Sequence, residues 1–528
     1  MKPTTSATDE YKNIDKSELR CAPDCYRVQL PPLQPSGDHK ILFRVPAEGW
    51  SDTLVHPYPN TFKDRWDENY VYMPCSNSNI IASQHGPPVS RWKQIEDVLQ
   101  QGIPGMFELE EAILSYNQHY ANRWTFDSLR EFFLQPIPLL KQGRRSKLTM
   151  SQQQAACLLA NAFFCTFPKR NARIKSGTLP DINFSNLYSR SGDPSRKIEK
   201  LKCIVNYFER IRNKMPTGIL TFTRHVLDEG AAPIWHRCNL NLADLHVSSE
   251  GNIEDDGVGM LQADFANKFV GGGVLGHGLV QEEIRFVICP EMILSRLFTP
   301  MLKDNEVLFM TGCERFNDYT GYSDSFEYAG DYVDRTQRDA WGRKCTEVVA
   351  MDALHFRTSE SQFEESKIVR ELNKAYCAFQ GTEFTSNLPA VCTGNWGCGA
   401  FKGDKHLKAL IQIMAATMAG RQVCYFTFGD ETLQKELVQI HGMLCKNYIT
   451  VKELYKLISE YSHRVINKKQ KYWEANIQTL FEYIANTLGE PLTTRAGSSF
   501  EYSADNFESQ GSDTSMHYDW EDFKASTP

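Results

Sequence analysis

Two adjacent glutamates, Glu282 and Glu283, lie shortly after a segment with five glycines in eight residues, Gly271–Gly278. Glycine lets the backbone adopt positive φ angles and approach a ligand closely. Neighbouring carboxylates repel each other, so one of them holds its proton more tightly, as a general acid must. A helix beginning near Val280 would instead favour the charged form, because its amino end carries partial positive charge. The pattern therefore predicts a ligand-binding loop that delivers two acids to one place. A surface turn followed by two solvated glutamates is the alternative.

A second glycine-rich loop follows a predicted strand later in the chain. Leu388–Thr393 favours a strand, Gly394–Gly403 a loop and Leu407–Met418 a helix that ends at Gly420. With a further strand over 422–428, this order is typical of a βαβ unit in a parallel sheet. The loop would lie at a helix amino terminus, where backbone N–H groups bind phosphate. It lacks the Lys-Ser/Thr of a P-loop and the GxGxxG of a dinucleotide fold, which disfavours a nicotinamide-dependent dehydrogenase.

Together the two loops suggest a class of chemistry. Loops at the carboxyl ends of strands are where α/β folds bind ligands. One loop suits a phosphate group, and the other presents two carboxylates and the side-chain amide of Gln281. Carboxylates beside a phosphate site suggest hydrolysis of a phosphorylated sugar.

Composition narrows the class of protein. The chain has 528 residues, of which 41% are hydrophobic and 23% charged, and its net charge is −7. This charge argues against direct nucleic-acid binding. No apolar run approaches the roughly 18 residues of a membrane span, and the charged N-terminus does not look like a signal peptide. The 15 cysteines include no CxxC pair, so we expect reduced thiols and no metal site.

Composition and hydrophobic periodicity along the chain predict four parts. We expect an extended, partly ordered segment over 1–90, a helical accessory domain over 91–215, a catalytic α/β domain over 216–470 and an acidic disordered tail over 490–528. Helices are predicted over 92–99, 107–116, 155–164, 198–211, 431–445 and 452–465, with a cap at Thr125, a capping box of Thr149 with Gln152, and another of Thr450 with Glu453. Further strands are predicted over 218–224, 240–247, 307–311 and 346–351.

The loop that carries the two glutamates resembles a known signature. Three glycines, a short spacer and Gln281-Glu282-Glu283, with Ala263–Phe269 upstream and Thr393–Phe401 downstream, are similar to the poly(ADP-ribose) glycohydrolase family. The resemblance runs over about 216–461. It implies an α/β fold, a macrodomain-like mixed sheet flanked by helices, with an N-terminal helical accessory region. It also implies hydrolysis of the ribose–ribose O-glycosidic bonds of poly(ADP-ribose), mainly from chain ends, with release of ADP-ribose and without a metal or other cofactor.

The same resemblance implies catalytic roles for three residues and substrate-binding roles for two beside them. Glu283 would be the general acid that protonates the leaving ribose oxygen, and would then act as base for the attacking water. Glu282 would support it and help to hold the ribose. Asp264 would hydrogen-bond the distal ribose, while Asn267 and Gln281 would orient the substrate. Clustered carboxylates stabilise an oxocarbenium-like transition state, which is the physical reason to bring three of them together.

Further residues would bind the ADP-ribose unit. Ile253 and Glu254 would lie at the adenine, and Tyr322 and Phe428 would pack against the ligand, where stacking contributes roughly 1–3 kcal/mol. The diphosphate would be held by backbone amides of one loop, with an aromatic residue close by. That loop comprises Asn395, Trp396, Gly397, Cys398, Gly399 and Ala400, and the aromatic residue is Phe401.

Several of these residues have ordinary structural alternatives that the sequence leaves open. Phe428 could belong to the core and Tyr322 to the plain surface. Glu254–Asp256 could form a solvated acidic turn. Such explanations would remove the ligand-binding role without changing the fold.

The same holds for residues nearer the acids. Asp264 could cap a helix, and Asn267 could complete a turn. Cys398 is better explained as a small residue in a tight loop than as a nucleophile. We do not expect His277 to be the general base, because the family's spacer varies at that point.

Two rival functions follow from the same residues. One is a macrodomain reader that binds ADP-ribose polymer without cleaving it. The other is a hydrolase of a different ADP-ribosyl linkage, such as one to serine or to a carboxylate side chain. The Gln281–Glu283 sequence favours the glycohydrolase, since a reader needs no acids at the scissile bond. The expected partners are poly(ADP-ribose) and poly-ADP-ribosylated proteins. We expect a monomer that acts on them in the nucleus and cytoplasm during the DNA damage response.

Overall fold

The computed structural model describes residues 13–22, 30–47, 49–53, 55, 64–81, 87–100, 136–168, 178–189, 194–381, 388–466 and 478–492. The predicted helix over 107–116, the cap at Thr125 and the acidic tail from residue 493 onward lie outside the described residues.

A mixed sheet forms the centre of the molecule. In chain order the strands are β1 (His39–Ile41), β2 (Ile80–Ile81), β3 (Val89–Ser90), β4 (Ser146–Ser151), β5 (Ile219–Val226), β6 (Leu245–Ser248), β7 (Leu261–Asp264), β8 (Glu306–Thr311), β9 (Asn317–Thr320), β10 (Glu327–Asp331), β11 (Glu347–Ala350), β12 (Val391–Gly394) and β13 (Val423–Phe426). Nine of these form one sheet in the order β1-β4-β5-β8-β11-β7-β12-β13-β6, while β2 pairs with β3 and β9 with β10. The mixed sheet confirms the predicted fold class.

Helices lie on both faces of this sheet. They are α1 (Arg91–Gln100), α2 (Gln152–Phe163), α3 (Ser185–Tyr188), α4 (Pro194–Asn213), α5 (Ile253–Asp256), α6 (Gln281–Ile288), α7 (Ser295–Phe298), α8 (Glu365–Phe379), α9 (Lys405–Ala419), α10 (Glu431–Lys446), α11 (Val451–Tyr461) and α12 (Leu480–Thr487). Within the described ranges, no helix combines the length and the apolar character needed to cross a membrane.

Alternating side chains of the strands fill two hydrophobic cores, one on each face of the sheet. Along β8, Leu308 and Met310 belong to one core, and Val307 and Phe309 belong to the other. Helices α2, α4 and α6 contribute to the first core, and α8 to α12 contribute to the second. The sheet is thereby fixed between two helical layers, and its edges are left to carry loops.

Five neighbouring strands, β11, β7, β12, β13 and β6, run parallel to one another. Their last residues are in register: Ala350 pairs with Asp264, Gly394 with Phe426, and Phe426 with Ser248. The carboxyl ends of these strands therefore meet at one edge. The loops after β7, β12, β13 and β6 leave the sheet there, as expected of a ligand site in an α/β fold, whereas Tyr322 lies in the separate β9–β10 hairpin.

The predicted βαβ unit is confirmed. Strands β12 and β13 pair in parallel, and α9 joins them. This helix ends where Gly420 adopts a left-handed φ of 71°. The capping box of Thr450 with Glu453 is also present, at the start of α11. Local signals in these segments agree with their tertiary contacts.

The capping box predicted at Thr149 is wrong. Thr149 lies within β4, which pairs antiparallel with β5 as far as Ser151. The chain turns into α2 only after that pairing ends, so Ser151 is the cap and forms the box with Gln154. Strands β4 and β1 join the main sheet although they precede residue 216, and the predicted domain boundaries stay predictions.

Candidate active site

Glu282 and Glu283 lie in the first turn of α6, whose amino-terminal cap is Val280. Their side chains are buried, with exposed fractions of 3% and 6%. This burial rules out the alternative of two solvated glutamates after a surface turn.

The glycine-rich loop wraps both carboxylates with its backbone amides. Glu282 accepts hydrogen bonds from Asn267 N (Oε2, 2.8 Å) and Gly271 N (Oε1, 2.6 Å). Glu283 accepts from Gly273 N (Oε1, 2.7 Å) and Val280 N (Oε2, 3.0 Å). All four carboxylate oxygens thus have a fixed backbone partner, which locks the orientation of both side chains.

Glycine is required where the loop passes closest to the acids. Gly272 has a φ of 43°, and a Cβ there would meet Glu283 Oε1 and lie 2.6 Å from Glu282 Oε2. A Cβ at Gly278 would lie 2.6 Å from Glu283 Oε1. The loop can enclose the carboxylates only because these positions have no side chain.

Asp264, the last residue of β7, lies beneath the two glutamates. Its side chain is wholly buried, and neither of its carboxylate oxygens has a hydrogen-bond partner within the described part of the chain. Burial raises the pKa of Asp264 well above its ordinary value, and the Glu283 charge adds to this, whereas Arg285 lowers it. Burial also raises the pKa of Glu282, with Asp264 and Glu283 adding to it and the amides of Asn267 and Gly271 opposing it. Asp264 and Glu282 therefore retain protons at pH values where ordinary carboxyl groups have lost them.

We expect Asp264→Asn to stabilise the fold at alkaline pH while impairing catalysis. A raised carboxyl pKa gives stability that is present below the unfolded value, near pH 4, and is lost as the pH rises through the folded value. The asparagine variant has no such loss. At pH 8 its free energy of unfolding should exceed that of wild type by about 1–2 kcal/mol, and it should unfold at a higher temperature. Thermal unfolding at pH 8 and pH 4.5 checks this, and the difference should shrink at the lower pH. A variant less stable than wild type at both values would contradict an unpartnered buried carboxylate.

Gln281 and Asn267 brace the same region. Gln281 accepts from Phe265 N (Oε1, 2.8 Å) and donates to Ala263 O (Nε2, 3.2 Å), which ties α6 to the end of β7. Asn267 Oδ1 accepts from Phe269 N at 3.0 Å and so completes a turn, as the alternative expected. Its backbone amide also binds Glu282, so the turn is part of the site.

Two aromatic residues stand at the rim of the site. Tyr322 is 54% exposed, yet its hydroxyl lies near the backbone amide of Gln281 and near Glu283. Phe428 is 44% exposed and has a left-handed φ of 53°, which is unfavourable for a bulky residue. Its ring lies against Gly394, where a Cβ would stand 2.6 Å from Phe428 Cε2. The core alternative for Phe428 is wrong, and strain of this kind is common at ligand sites.

The second glycine-rich loop, over 394–403, lies beside this rim. Asn395 is fixed by Tyr425, whose hydroxyl donates to Oδ1 at 3.0 Å, and by its own donation to Thr427 O at 3.2 Å. Asp404 caps α9 by accepting from Leu407 N at 2.8 Å, so the helix terminus itself is occupied. The amides of Gly397, Gly399 and Ala400 have no acceptor among the described residues and are the donors that an anion would meet.

Two side chains of this loop are structural. Trp396 is wholly buried; its Nε1 donates to Met351 O at 3.0 Å, and the Lys408 ammonium lies 3.8 Å from the centre of its ring. Only its backbone is therefore at the surface of the loop. Burial raises the pKa of the Cys398 thiol, and its Sγ lies 3.6 Å from Trp396 O. A thiol held protonated in this way is a poor nucleophile. Phe401 is half-buried, 5.9 Å from the His355 ring.

The turn over 251–257 forms another wall of the edge. Ile253 is 2% exposed and packs in a small core, so its side chain is not open to solvent. Glu254 accepts a hydrogen bond from the Tyr319 hydroxyl. Asp255 pairs with Arg315, and Asp256 pairs with Lys16. The turn is thus held by specific partners rather than being a solvated acidic turn.

Two buried basic residues near the site, Lys200 and Arg296, were not predicted from the sequence. Lys200 on α4 donates to carbonyls of the glycine-rich loop, and Arg296 donates to Gly272 O at 2.9 Å. One sequence signal pointed to Lys200: it lies four residues before Ile204 and eight before Phe208, on the apolar side of a predicted amphipathic helix. A charge on that face needs a buried partner.

No group of three or more His, Cys, Asp or Glu side chains in the described ranges is arranged to hold a metal ion.

Comparison with known proteins identifies the chain's relatives. Residues 232–435 match the family described as "Poly (ADP-ribose) glycohydrolase (PARG), Macro domain fold", and residues 99–224 match its "helical domain". The chain is 34% identical over 403 residues to "Poly(ADP-ribose) glycohydrolase 1" of Arabidopsis thaliana, covering 63% of this chain and 73% of the relative. It is 34% identical over 382 residues to "Probable poly(ADP-ribose) glycohydrolase 2" of the same plant, covering 63% and 72%. "Poly(ADP-ribose) glycohydrolase 1" of Caenorhabditis elegans is 35% identical over 332 residues, covering 60% and 40%.

Proposed function

Because this chain belongs to the poly(ADP-ribose) glycohydrolase family, we propose that it hydrolyses the ribose–ribose O-glycosidic bonds of poly(ADP-ribose) and releases ADP-ribose. It is a glycosyl hydrolase with a macrodomain fold and an N-terminal helical domain. One observation carries the proposal: two adjacent buried glutamates, with all four oxygens held by backbone amides, beside a loop whose free amides suit a diphosphate.

In this mechanism Glu283 is the general acid and base. It protonates the leaving ribose oxygen as the glycosidic C–O bond breaks, leaving an oxocarbenium-like sugar. It then removes a proton from the water that attacks this carbon, which restores the carboxylic acid. Glu283 lies in the first turn of α6, next to the Tyr322 hydroxyl, and this position supports the assignment. Paired carboxylates of glycosidases act in the same way.

Glu282 and Asp264 assist this chemistry. Glu282 stabilises the positive charge that develops on the sugar and holds the ribose. Asp264 accepts from a hydroxyl of the distal ribose, and its lack of a partner among the described residues supports that role. Gln281 and Asn267 keep the substrate and the acids oriented. The proposed mechanism uses these carboxyl groups without a metal ion.

The remaining loops bind the ADP-ribose unit. The amides of 395–400 hold the diphosphate, with Phe401 nearby. The backbone of Ile253 and the carboxylate of Glu254 lie at the adenine. Tyr322 and Phe428 pack against the ligand, and their exposure at the rim supports this.

The proposal also covers the mode of cleavage, the oligomeric state and the place where the enzyme acts. Cleavage proceeds mainly from chain ends, and the enzyme acts as a monomer in the nucleus and cytoplasm on poly-ADP-ribosylated proteins during the DNA damage response. Product lengths over time test the first point, since exo cleavage gives ADP-ribose from the start and few intermediate oligomers.

The decisive test offers three substrates to the purified chain: labelled poly(ADP-ribose), a serine-linked mono-ADP-ribosyl peptide and a glutamate-linked one. We expect ADP-ribose from the polymer alone, and the same rate in the presence of EDTA. Binding of the polymer with no product would support a macrodomain reader. Release from a peptide but not from the polymer would support a hydrolase of the other linkage.

We expect Phe428→Ala to weaken ADP-ribose binding by about 5- to 100-fold, the range that corresponds to losing one stacked base or ribose. Isothermal titration with ADP-ribose checks this. Tyr448→Ala is a matched control, because Tyr448 is also an exposed aromatic residue, 79% accessible, with a left-handed φ of 54°, and lies in the turn between α10 and α11. Equal affinities of the two variants would remove Phe428 from the binding site.

A further inference from the structure

Four carbonyl oxygens of the glycine-rich loop, Gly271–Gly278, surround one buried ammonium group. Lys200 Nζ, on α4, donates to Gly273 O (3.2 Å), Val274 O (3.2 Å) and Gly276 O (3.0 Å). It also donates to Gly278 O. The Lys200 side chain is wholly buried. Lys200 is therefore not a surface charge: it lies buried behind the loop and is surrounded by the loop's carbonyl oxygens.

The loop therefore has two chemically different faces. Its amides of Gly271, Gly273 and Val280 point to the carboxylates of Glu282 and Glu283. Its carbonyls point the other way, towards Lys200. A peptide plane joins the C=O of one residue to the N–H of the next, so the bound carbonyls of Gly273 and Gly278 fix the planes that adjoin those of the Gly273 and Val280 amides.

Glycines cannot hold this arrangement alone. A segment with five glycines in eight residues loses more conformational entropy on ordering than any other composition. Hydrogen bonds from the Lys200 ammonium, whose three N–H groups are shared among four carbonyls, offset that cost. Burial lowers the pKa of Lys200 to about 7, and the Glu283 carboxylate opposes this lowering.

We propose that Lys200 is a positioning residue for catalysis: through the carbonyls of Gly273 and Gly278 it positions the adjoining amides of Gly273 and Val280, which hold Glu283, without touching the substrate. The inference rests on the proposed function, because it assigns Lys200 to that same site. It makes the helical domain, which contributes α4, a part of the catalytic machinery and not only a support. Arg196, one turn earlier, extends the contact by donating to His277 O at 3.3 Å.

Lys197 provides a matched control on the same helix. It is 4% exposed, and its Nζ also binds carbonyls, Asn186 O and Ser189 O, each at 2.9 Å. These carbonyls belong to α3 and its end, not to the catalytic loop. Lys197→Met and Lys200→Met therefore remove the same kind of buried interaction, and only one of them touches the loop.

The test compares Lys200→Met, Lys200→Arg and Lys197→Met with wild type in the full chain. We expect Lys200→Met to lower kcat by about 10²-fold, the effect of displacing catalytic groups by about 1 Å. KM and the Kd for ADP-ribose should change by less than about threefold, because the diphosphate and adenine loops lie elsewhere. Lys200→Arg should recover part of kcat, since it keeps the charge and several donors. Lys197→Met should keep the wild-type kcat.

Hydrogen exchange gives a readout that does not depend on catalysis. Amides of the peptide spanning 270–281 should exchange faster in Lys200→Met than in wild type or Lys197→Met. Wild-type protection in Lys200→Met, or equal losses of kcat in both methionine variants, would overturn the proposal. If wild type itself released no ADP-ribose, the proposed function would fail, and the exchange data would still decide whether Lys200 orders the loop.

Discussion

Replacing Glu283 by glutamine is expected to lower the rate of poly(ADP-ribose) hydrolysis by about 10³- to 10⁴-fold, the largest effect that loss of a general acid and base produces. Glutamine has the size of glutamate but cannot transfer a proton to the leaving oxygen. It also cannot accept from both Gly273 N and Val280 N, because one of its two terminal atoms is a donor. Both consequences act on the chemical step. ADP-ribose release, measured by chromatography under single-turnover conditions, checks the prediction.

Glu291→Gln is the control for this experiment. Glu291 is also a wholly buried glutamate with both oxygens hydrogen-bonded, to Gln152 Nε2 and Glu314 N, each at 2.9 Å. Burial raises the pKa of Glu291 to about 8. Glutamine at 291 loses one of two acceptor oxygens, as it does at 283, so the control reproduces that structural loss away from the glycine-rich loop. We expect this variant to hydrolyse polymer at close to the wild-type rate. Hydrolysis by Glu283→Gln at a similar rate would move the acid and base role to another residue.

Binding by Glu283→Gln separates the enzyme from a reader. The loop over 394–403 and the rim residues Tyr322 and Phe428 are independent of the Glu283 carboxyl proton. We therefore expect the Kd of the variant for ADP-ribose to stay within about threefold of wild type. Loss of binding together with loss of hydrolysis would mean that the substitution disturbed the loop, and would leave the acid and base role undecided between Glu283 and its neighbours.

Much of this architecture follows from local sequence signals. The segment from β12 through α9 to β13 has a strand, a glycine-rich loop, an apolar helix stripe and a terminal glycine in order, and each signal agrees with the next. The two acids after the glycine-rich loop were predictable for the same reason. A loop so rich in glycine must approach something closely, and the nearest groups in sequence are Glu282 and Glu283.

Long-range contacts decided the features that sequence did not predict. β1 has only three residues, and it exists because Lys40 is paired in register with Leu148, more than one hundred residues later. Lys200 binds carbonyls 73 to 78 positions away. The left-handed backbone of Phe428 depends on how the chain leaves β13. Apart from the position of Lys200 on the apolar side of α4, these features have no periodic or local signature, so the folded chain is needed to reveal them.

A single methyl group at position 272 should be nearly as damaging as the loss of an acid. We expect Gly272→Ala to lower kcat by about 10²-fold or more, because the new Cβ would meet Glu283 Oε1 and come within 2.6 Å of Glu282 Oε2. Neither side chain can retreat, since each is held by two backbone amides. The loop or both carboxylates must therefore shift, and catalysis depends on their placement. Steady-state assays on polymer check this prediction.

Gly230→Ala isolates the steric part of that effect. Gly230 also has a positive φ, 85°, but a Cβ there meets nothing within 4 Å, and it lies in an exposed turn after β5. Both substitutions pay a similar penalty for a left-handed alanine, about 1 kcal/mol of stability. The alanine at 272 pushes on the carboxylates of Glu282 and Glu283 and the one at 230 does not, so Gly230→Ala should keep the wild-type kcat. If the two variants lost activity equally, backbone strain would explain the loss, and close wrapping of Glu282 and Glu283 by the loop would not be needed for catalysis.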